Sequence, residues 1–338
     1  MSVPRILTTT SLGLVSLLAL AGCASGAAAE PQQPKSDEPS SVTVEDNTGT
    51  HEIDTPPASV VALDNRTFQT LADWDIPLSA AAIALMPETV SYVDDEEIVD
   101  LGLHSEPDLE AIVAVAPDLI ISGQRFTQHN EAIAALVPDA TIIDLEPRDG
   151  EAFDDELKRQ VTVLGEIFGK QKEAAELVAD FDAAVERAKT AYDDSDTVMA
   201  VNTSGGDIGY IAPTVGRSLG PIYDILGLTP ALEVADASDD HQGDEISVEA
   251  IAASDPDWIL VLDRDAVFAA ETPDYVQAAD ILENSEALAG VTAIKEEQLV
   301  YMPTDTYLNE GIQTYTTFLN DLADALEKSA NGTKDSKD

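Results

Sequence analysis

Two stretches of this chain repeat one another across a long segment with an apolar stripe, and the repetition limits the folds open to it. "LEAIVAVAPDLIISGQR", residues 109–125, and "VEAIAASDPDWILVLDR", residues 248–264, share Glu-Ala-Ile, a Pro-Asp pair, an apolar run and a closing arginine. Glu110 and Glu249 open a helix, and Pro117 and Pro256 end it, since proline lacks the amide hydrogen that helix continuation needs. The apolar runs that follow read as strands buried on both faces, which is the pattern of parallel sheets. One helix–strand unit on each side of a long helix implies two similar α/β lobes. Ligands of open parallel sheets sit outside the carboxyl ends of the strands, so Arg125 and Arg264 are candidates for one inter-lobe cleft. A lone arginine there would read as a solvated charge; its repetition favours a shared role.

The segment between the repeats carries apolar residues mostly three and four apart, from Phe153 and Leu157 through Phe168 and Phe181 to Tyr192. That spacing predicts an amphipathic helix, about 60 Å long if unbroken, with Gly165 and Gly169 weakening its middle. Upstream, "SVTVEDNTGTHEI" predicts a hairpin turning at Asp46 to Gly49, and "SVVALDNRTFQTLADW" a buried strand followed by a loop and helix. Downstream, "TVMAVNTSGGDIGYIAP" opens a second α/β region that runs to a last helix over about 310–327. "SGGDIG" lacks the Lys-Ser/Thr ending of a phosphate loop and is expected to be a tight turn beside the ligand.

Residues 1–22 combine a short basic start with an apolar run too short to span a bilayer, an export signal rather than an anchor. Cys23 is the one cysteine, and "LAGC" resembles the bacterial lipoprotein box, in which the cysteine becomes a lipidated N-terminus. The expected organisation is a signal peptide over 1–22, a lipidated flexible tether over 23–40 and an N-terminal α/β lobe over 41–150. An inter-lobe helix over 151–193, a C-terminal α/β lobe over 194–327 and a disordered tail over 328–338 follow. The fold class is α/β: two Rossmann-like lobes with central, mainly parallel sheets joined by one long rigid α-helix.

The chain has 17 Lys plus Arg against 65 Asp plus Glu, a formal charge of -48. Such a surface repels phosphates, so nucleic acid is excluded as a partner, as is adsorption to an anionic membrane face. The chain contains no Gly-x-Ser-x-Gly elbow, His-Glu-x-x-His, P-loop or paired cysteines, which argues against an enzyme and against an intrinsic cofactor.

Taken in order, the lipobox, the tether, "VVALDN", "LGLHSEPDLEAIVAVAPDLIISG", "LGEIFGK", "ISVEAI", "ILVLDRDA" and "LVYMPTDTYL" resemble the substrate-binding lipoproteins of iron-siderophore ABC importers. These have the class III periplasmic-binding-protein fold, and the likeness is to the catecholate-type branch. The resemblance covers 41 to about 326. It implies a monomeric receptor, lipid-anchored on the extracytoplasmic face of the cell membrane, that carries a ferric siderophore to ABC importer permease subunits. It further implies limited lobe closure on binding and a second contact with the permease through acidic patches.

By the same resemblance, Arg125, Arg217 in "TVGRSLG" and Arg264 converge on the ligand. The chemistry suits them, because a ferric catecholate is an anion and guanidinium is a permanent, weakly hydrated cation able to stack and to donate paired hydrogen bonds. Some relatives complete the coordination of iron with a histidine and a tyrosine when the siderophore supplies too few oxygens. The corresponding residues are His241, one position early with Gln242 in the expected place, and Tyr307 in "DTYLNEG". A solvated loop residue and a buried ring with a bonded hydroxyl remain the other readings of these two. Asn65 belongs to the expected ligand set; Arg66, Gln124 and Tyr210 are lesser candidates for which surface polarity is the favoured reading. His51 and His104 show no metal-ligand spacing, and His129 is placed near the cleft rim. A haem-import lipoprotein, with His241 or Tyr307 as axial ligand, is the near alternative. A surface-anchored hydrolase is the alternative from a different class.

Overall fold

The computed structural model describes residues 40–335. The signal segment, Cys23, the tether through residue 39 and residues 336–338 lie outside the described residues. An antiparallel hairpin comes first, β1 Ser40–Glu45 and β2 Thr50–Thr55, with Val42 opposite Ile53. The Asp46 carboxylate closes its turn by accepting from the amides of Thr48 at 2.7 Å and Gly49 at 2.8 Å.

The first sheet contains β3 Val60–Ala62, β4 Ala80–Ala81, β5 Val99–Asp100, β6 Leu119–Ser122 and β7 Thr141–Asp144. All its pairings are parallel, in the order β5-β4-β3-β6-β7. The second contains β8 Thr197–Ser204, β9 Asp207–Ile211, β10 Thr229–Pro230, β11 Asp244–Glu245, β12 Trp258–Asp263 and β13 Leu299–Tyr301. Its order is β11-β9-β8-β12-β13, with β10 beside the start of β8. Here β8, β12 and β13 are parallel, while β9 and β11 run against their neighbours. β3, β6 and β12 are buried almost throughout, as double-sided burial in α/β layers requires.

Chain order reverses between β3 and β6 in one sheet, and between β8 and β12 in the other. A crevice opens at the carboxyl ends of strands at such switch points. Asn65 follows β3, Arg125 follows β6 and Arg264 follows β12, so the topology delivers these side chains to crevices before any local contact is considered.

The sequence repeat is a structural repeat. Helices Leu109–Val115 and Val248–Ser254 are each capped by a side-chain oxygen, Asp108 to the Ala111 amide at 2.9 Å and Ser247 to the Ala250 amide at 3.1 Å. Each ends on a left-handed residue just before the proline, Ala116 and Asp255, both with φ 45°. The conserved spacing of the Pro-Asp pair within this chain also has a reason. Asp118 accepts from the amides of Ala58 and Ser59 at 2.6 and 3.0 Å, and Asp257 from the amide of Thr197 at 2.7 Å. Each aspartate ties the start of its own strand to the start of the neighbouring central strand.

The single long helix expected over 151–193 is instead two, Phe153–Phe168 and Gln171–Ala191. Gly169 takes φ 66° as a left-handed C-cap and the chain turns back. Lys158 then lies 3.4 Å from Asp182, residues that a continuous helix would hold about 36 Å apart. Gly165 lets the two helices approach, since a Cβ there would fall 2.7 Å from that of Ala174. The two glycines that weaken a straight helix are what build the helical hairpin. The last helix also differs from expectation, running Ile312–Asp335 through most of the region expected to be a tail. No proline interrupts it, and Ser329 bonds Gln298 at 3.3 Å.

One hydrophobic core runs from β3 and β6 through Leu157, Leu164 and Phe181 to Phe318 and Leu322 of the last helix, and on to Leu260 of β12. A second cluster covers the other face of the C-terminal sheet with Ile251, Ile259 and Leu288. Because close-packed interiors resist deformation, the two sheets are braced against each other by solid packing, not by a bare linker. Among the described residues no helix is long and apolar enough to cross a membrane.

Asp64, at the end of β3, is fully buried under the crevice. It accepts from the Arg66 amide at 3.0 Å and from Gln160 Nε2 at 3.2 Å, and a Cβ on Gly123 would meet its Cγ at 2.4 Å. Burial pushes its carboxyl up to about 6, with the charge of Arg66 pulling the other way. The folded state therefore holds this proton more tightly than the unfolded chain, whose value is 3.8. Stability from this group is complete below about pH 4 and is lost as pH rises through about 6. Thermal melts of the chain and of Asp64→Asn from pH 4 to 7.5 should show the variant gaining stability relative to the parent as pH rises. A difference that stays constant across that range would contradict the assignment.

Candidate ligand-binding site

A cavity of about 230 Å³ opens between the two sheets at their carboxyl ends. Asn65, Gln124 and Arg125 bring the N-terminal sheet's contribution, with Leu103, His104 and Phe126 beside them. Arg217, Arg264, Phe268 and Tyr307 bring that of the C-terminal sheet. Among the described residues no carboxylate lines this cavity, in a chain with 65 acidic residues.

Tyr307 is its centre. The ring is 9% exposed and lies between two guanidinium groups, with Arg217 Cζ and Arg264 Cζ each 4.8 Å from the ring centroid. Phe268 meets the same ring edge-on at 5.4 Å. Each cation over an aromatic face contributes about 0.5 to 2 kcal/mol, more as water is excluded. The Tyr307 hydroxyl has no hydrogen-bond partner among the described residues.

Each arginine is held differently. Arg264 donates to Asp265 Oδ1 and Ser204 Oγ, both at 3.2 Å, and Asp265 also accepts from the Gly205 amide. Gly205 and Gly206, with φ 62° and 87°, form the tight turn joining β8 and β9, so "SGGDIG" supports Arg264. Asp263 has a separate task. Its carboxylate accepts from Tyr275 Oη at 2.7 Å and from the Ala266 and Ala278 amides, which ties down the loop after β12.

Arg217 sits in a loop flanked by the left-handed residues Thr214 and Ser218, a backbone that needs compensation. Glu310 supplies it. Its carboxylate accepts from Arg217 Nε at 3.1 Å and Nη2 at 2.9 Å, and from Ser218 Oγ at 2.6 Å. From the other sheet come Gln124 Nε2 at 3.3 Å and Arg66 Nη2 at 3.6 Å. Glu310 is 1% exposed; burial alone would raise its carboxyl, but Arg217 and Arg66 hold it at about 2. Arg217 is driven upward chiefly by the charge of Glu310 and stays protonated. Arg125 is exposed and has no ion-pair partner among the described residues.

His104 forms part of the cavity wall. Burial, then the charges of Arg125 and His129, lower its imidazole, so it adds no positive charge near neutrality. His129 braces it by bonding the His104 carbonyl at 2.7 Å, and Phe126 packs edge-on against both rings.

Of the residues expected at the ligand, the structure brings Arg125, Arg217, Arg264, Asn65 and Tyr307 to one cavity, and Gln124, read from sequence as surface polarity, joins them. His241 lies elsewhere. It opens onto an adjoining groove of about 540 Å³ with Glu146, Asp149, Asp239 and Asp240, and Asn202 bonds its carbonyl at 3.0 Å. His241 and Tyr307 therefore do not share one cavity. Among the described residues no three His, Cys, Asp or Glu side chains gather as a metal site. Tyr210 is a core residue, its hydroxyl bonded to the Leu232 carbonyl. Arg66, read from sequence as surface polarity, is largely buried between Glu146 and Glu310, each at 3.6 Å. Glu310 and His104 were missed, since one glutamate among dozens and one histidine without a spaced partner carry no local signal.

Two sheets with switch-point crevices, a solid bridge and an inter-sheet cavity of mixed apolar and cationic lining suit a binding protein. Residues 60–306 match the family described as periplasmic binding protein, and the chain belongs to that family. It is similar to the petrobactin-binding protein YclQ of Bacillus subtilis, 26% identical over 277 residues that cover 80% of this chain and 83% of that one. It is also similar to the ferric-anguibactin-binding protein FatB of Vibrio anguillarum, 30% identical over 230 residues, 67% of this chain and 70% of the other. The crystal structure of YclQ superposes with a TM-score of 0.72 at 22% identity, covering 85% of this chain and 99% of that one. The chain is accordingly a binding protein and not an enzyme.

The two arginines should separate in stability measurements. Arg217→Ala strands a buried carboxylate and should cost about 3 to 5 kcal/mol. Arg125→Ala removes an exposed, unpaired cation and should stay within about 0.5 kcal/mol. Urea unfolding of both variants checks this, and equal losses would contradict the pairing.

Proposed function

We propose that this chain is a lipid-anchored extracytoplasmic receptor that binds a ferric siderophore of the catecholate type between its two sheets and delivers it to an ABC importer permease. The observation that carries the reading is the cavity wall: three guanidinium groups and, among the described residues, no carboxylate, in a chain of charge -48. Catechol oxygens bound to iron keep negative charge and accept hydrogen bonds, which guanidinium groups donate in pairs. Catechol rings also need apolar and aromatic surface, which Leu85, Phe126, Phe268 and Leu308 provide.

The names of the relatives support the ligand class, since one binds petrobactin and another ferric anguibactin. Tyr307 is the residue best placed to offer an oxygen to the ferric ion, a hard cation suited to a phenolate. His241 would reach such a ligand only from the adjoining groove. The continuous core between the sheets supports small closure on binding, with recognition of the loaded state resting on shifts at the cleft rim. Cys23 remains the proposed site of lipidation, on the sequence signal alone.

Isothermal titration with a ferric dihydroxybenzoyl chelate tests the reading. The double variant Arg125→Ala, Arg264→Ala should remain folded by circular dichroism. It should bind at least about 100-fold more weakly, because each charge-assisted hydrogen bond is worth about 1.5 to 3 kcal/mol. Unchanged affinity in the double variant would sink the proposed site.

A further inference from the structure

The arginines at the cleft are mostly spent before any ligand arrives. Arg217 is engaged twice by Glu310, Arg264 by Asp265, and Arg66 lies between Glu146 and Glu310. Arg125 alone of the four has no acidic partner among the described residues. Four guanidinium groups against the three carboxylates Glu310, Asp265 and Glu146 leave one net positive charge. Asp64, buried beneath Arg66, brings the sum to zero once it ionises, and burial works against charging His104. Around this lies a chain of net charge -48.

Glu310 cannot simply let go. It is 1% exposed, also holds Ser218 and Gln124, and would become a buried charge without its main partner. A ligand therefore meets Arg217 as one half of a neutral pair, able to stack and donate hydrogen bonds but offering little net attraction.

We propose that the cavity selects ferric complexes of low net negative charge, a bis-catecholate or mixed-donor complex in preference to a tris-catecholate, and that Glu310 sets this preference by neutralising Arg217. The inference rests on the ferric-siderophore reading and goes beyond it by naming the charge class of the ligand. Two catecholates on ferric iron leave one negative charge and three leave three. The singly charged complex is matched by the one uncommitted arginine, while the triply charged one keeps charge that the acidic surroundings repel. Glu310 is a positioning residue: it reaches the ligand through Arg217.

The test uses the purified chain and three ferric probes, a chelator with two catechol arms, one with three, and a trihydroxamate. Isothermal titration should give binding to the two-armed complex about ten-fold or more tighter than to the three-armed one. In Glu310→Gln the preference should fall by about ten-fold or reverse, because the freed Arg217 charge favours the more anionic probe. Glu310→Asp, which keeps the charge, should retain the parental order. Should Glu310→Gln not fold, Asp265→Asn frees Arg264 at a partly exposed position and should shift the preference in the same direction. Tighter binding of the three-armed complex by the parent chain, or a preference indifferent to both neutralising variants, overturns the inference and leaves the siderophore reading standing. Binding of the trihydroxamate alone, a neutral complex, overturns the match to a singly charged ligand together with the catecholate assignment. Binding of none of the probes removes the siderophore reading and this inference with it.

Discussion

The cleft depends on one buried carboxylate. Glu310 joins Arg217 and Ser218 of the C-terminal sheet's loops to Arg66 and Gln124 of the N-terminal sheet's loops. A charge so deeply buried is tolerable only when paired and fully hydrogen-bonded, and here two of the partners, Arg217 and Gln124, line the inter-sheet cavity. Remove it and the Arg217 loop loses the bonds that offset its left-handed residues, Arg217 loses its aim over Tyr307, and the two crevices lose their polar tie. Tyr307 then completes the arrangement, because the same ring gives both Arg217 and Arg264 a face to stack on.

The rest of the molecule exists in physical terms to hold that arrangement still. Parallel strands buried on both faces place their carboxyl ends at two switch points, and a core without a break runs between the sheets through the helical hairpin and the last helix. Gln313 at the start of that helix bonds Thr70 at 3.0 Å, which fastens it to the N-terminal half while its length packs on helix Gln171–Ala191. Such a bridge favours small adjustments at the rim over wide hinge motion. Thr89, which bonds Asp305 at 2.6 Å, joins the N-terminal and C-terminal halves and is one contact that such adjustment would change.

Much of this was legible in the sequence for a definite reason. A repeated helix–proline–strand unit states a local structure twice, so the buried strands, their ending arginines and the two-sheet architecture could be read from pattern alone. Tyr307 and Arg217 were legible only through family resemblance, since nothing local marks them. What stayed hidden was non-local or conformational. Glu310 acquires meaning from four partners drawn from distant parts of the chain, and Arg66 from being covered. The break at Gly169 was half visible: the glycines were noted as weak points of a straight helix, but only packing against Ala174 shows that they form a turn between two antiparallel helices. His241 failed to join Tyr307 because loop length, not residue type, decides which groove a loop residue enters.

On the proposed reading the cavity centred on Tyr307, walled by arginines and with no carboxylate among its described lining residues, receives the ferric centre. Crystals of the chain grown with a ferric bis-catecholate and measured at the iron absorption edge test it directly. The account predicts one anomalous iron peak inside that cavity, within coordination or hydrogen-bonding reach of the Tyr307 hydroxyl and flanked by Arg125 and Arg264. An iron peak in the acidic groove beside His241, Asp239 and Asp240, with the cavity left empty, would contradict it.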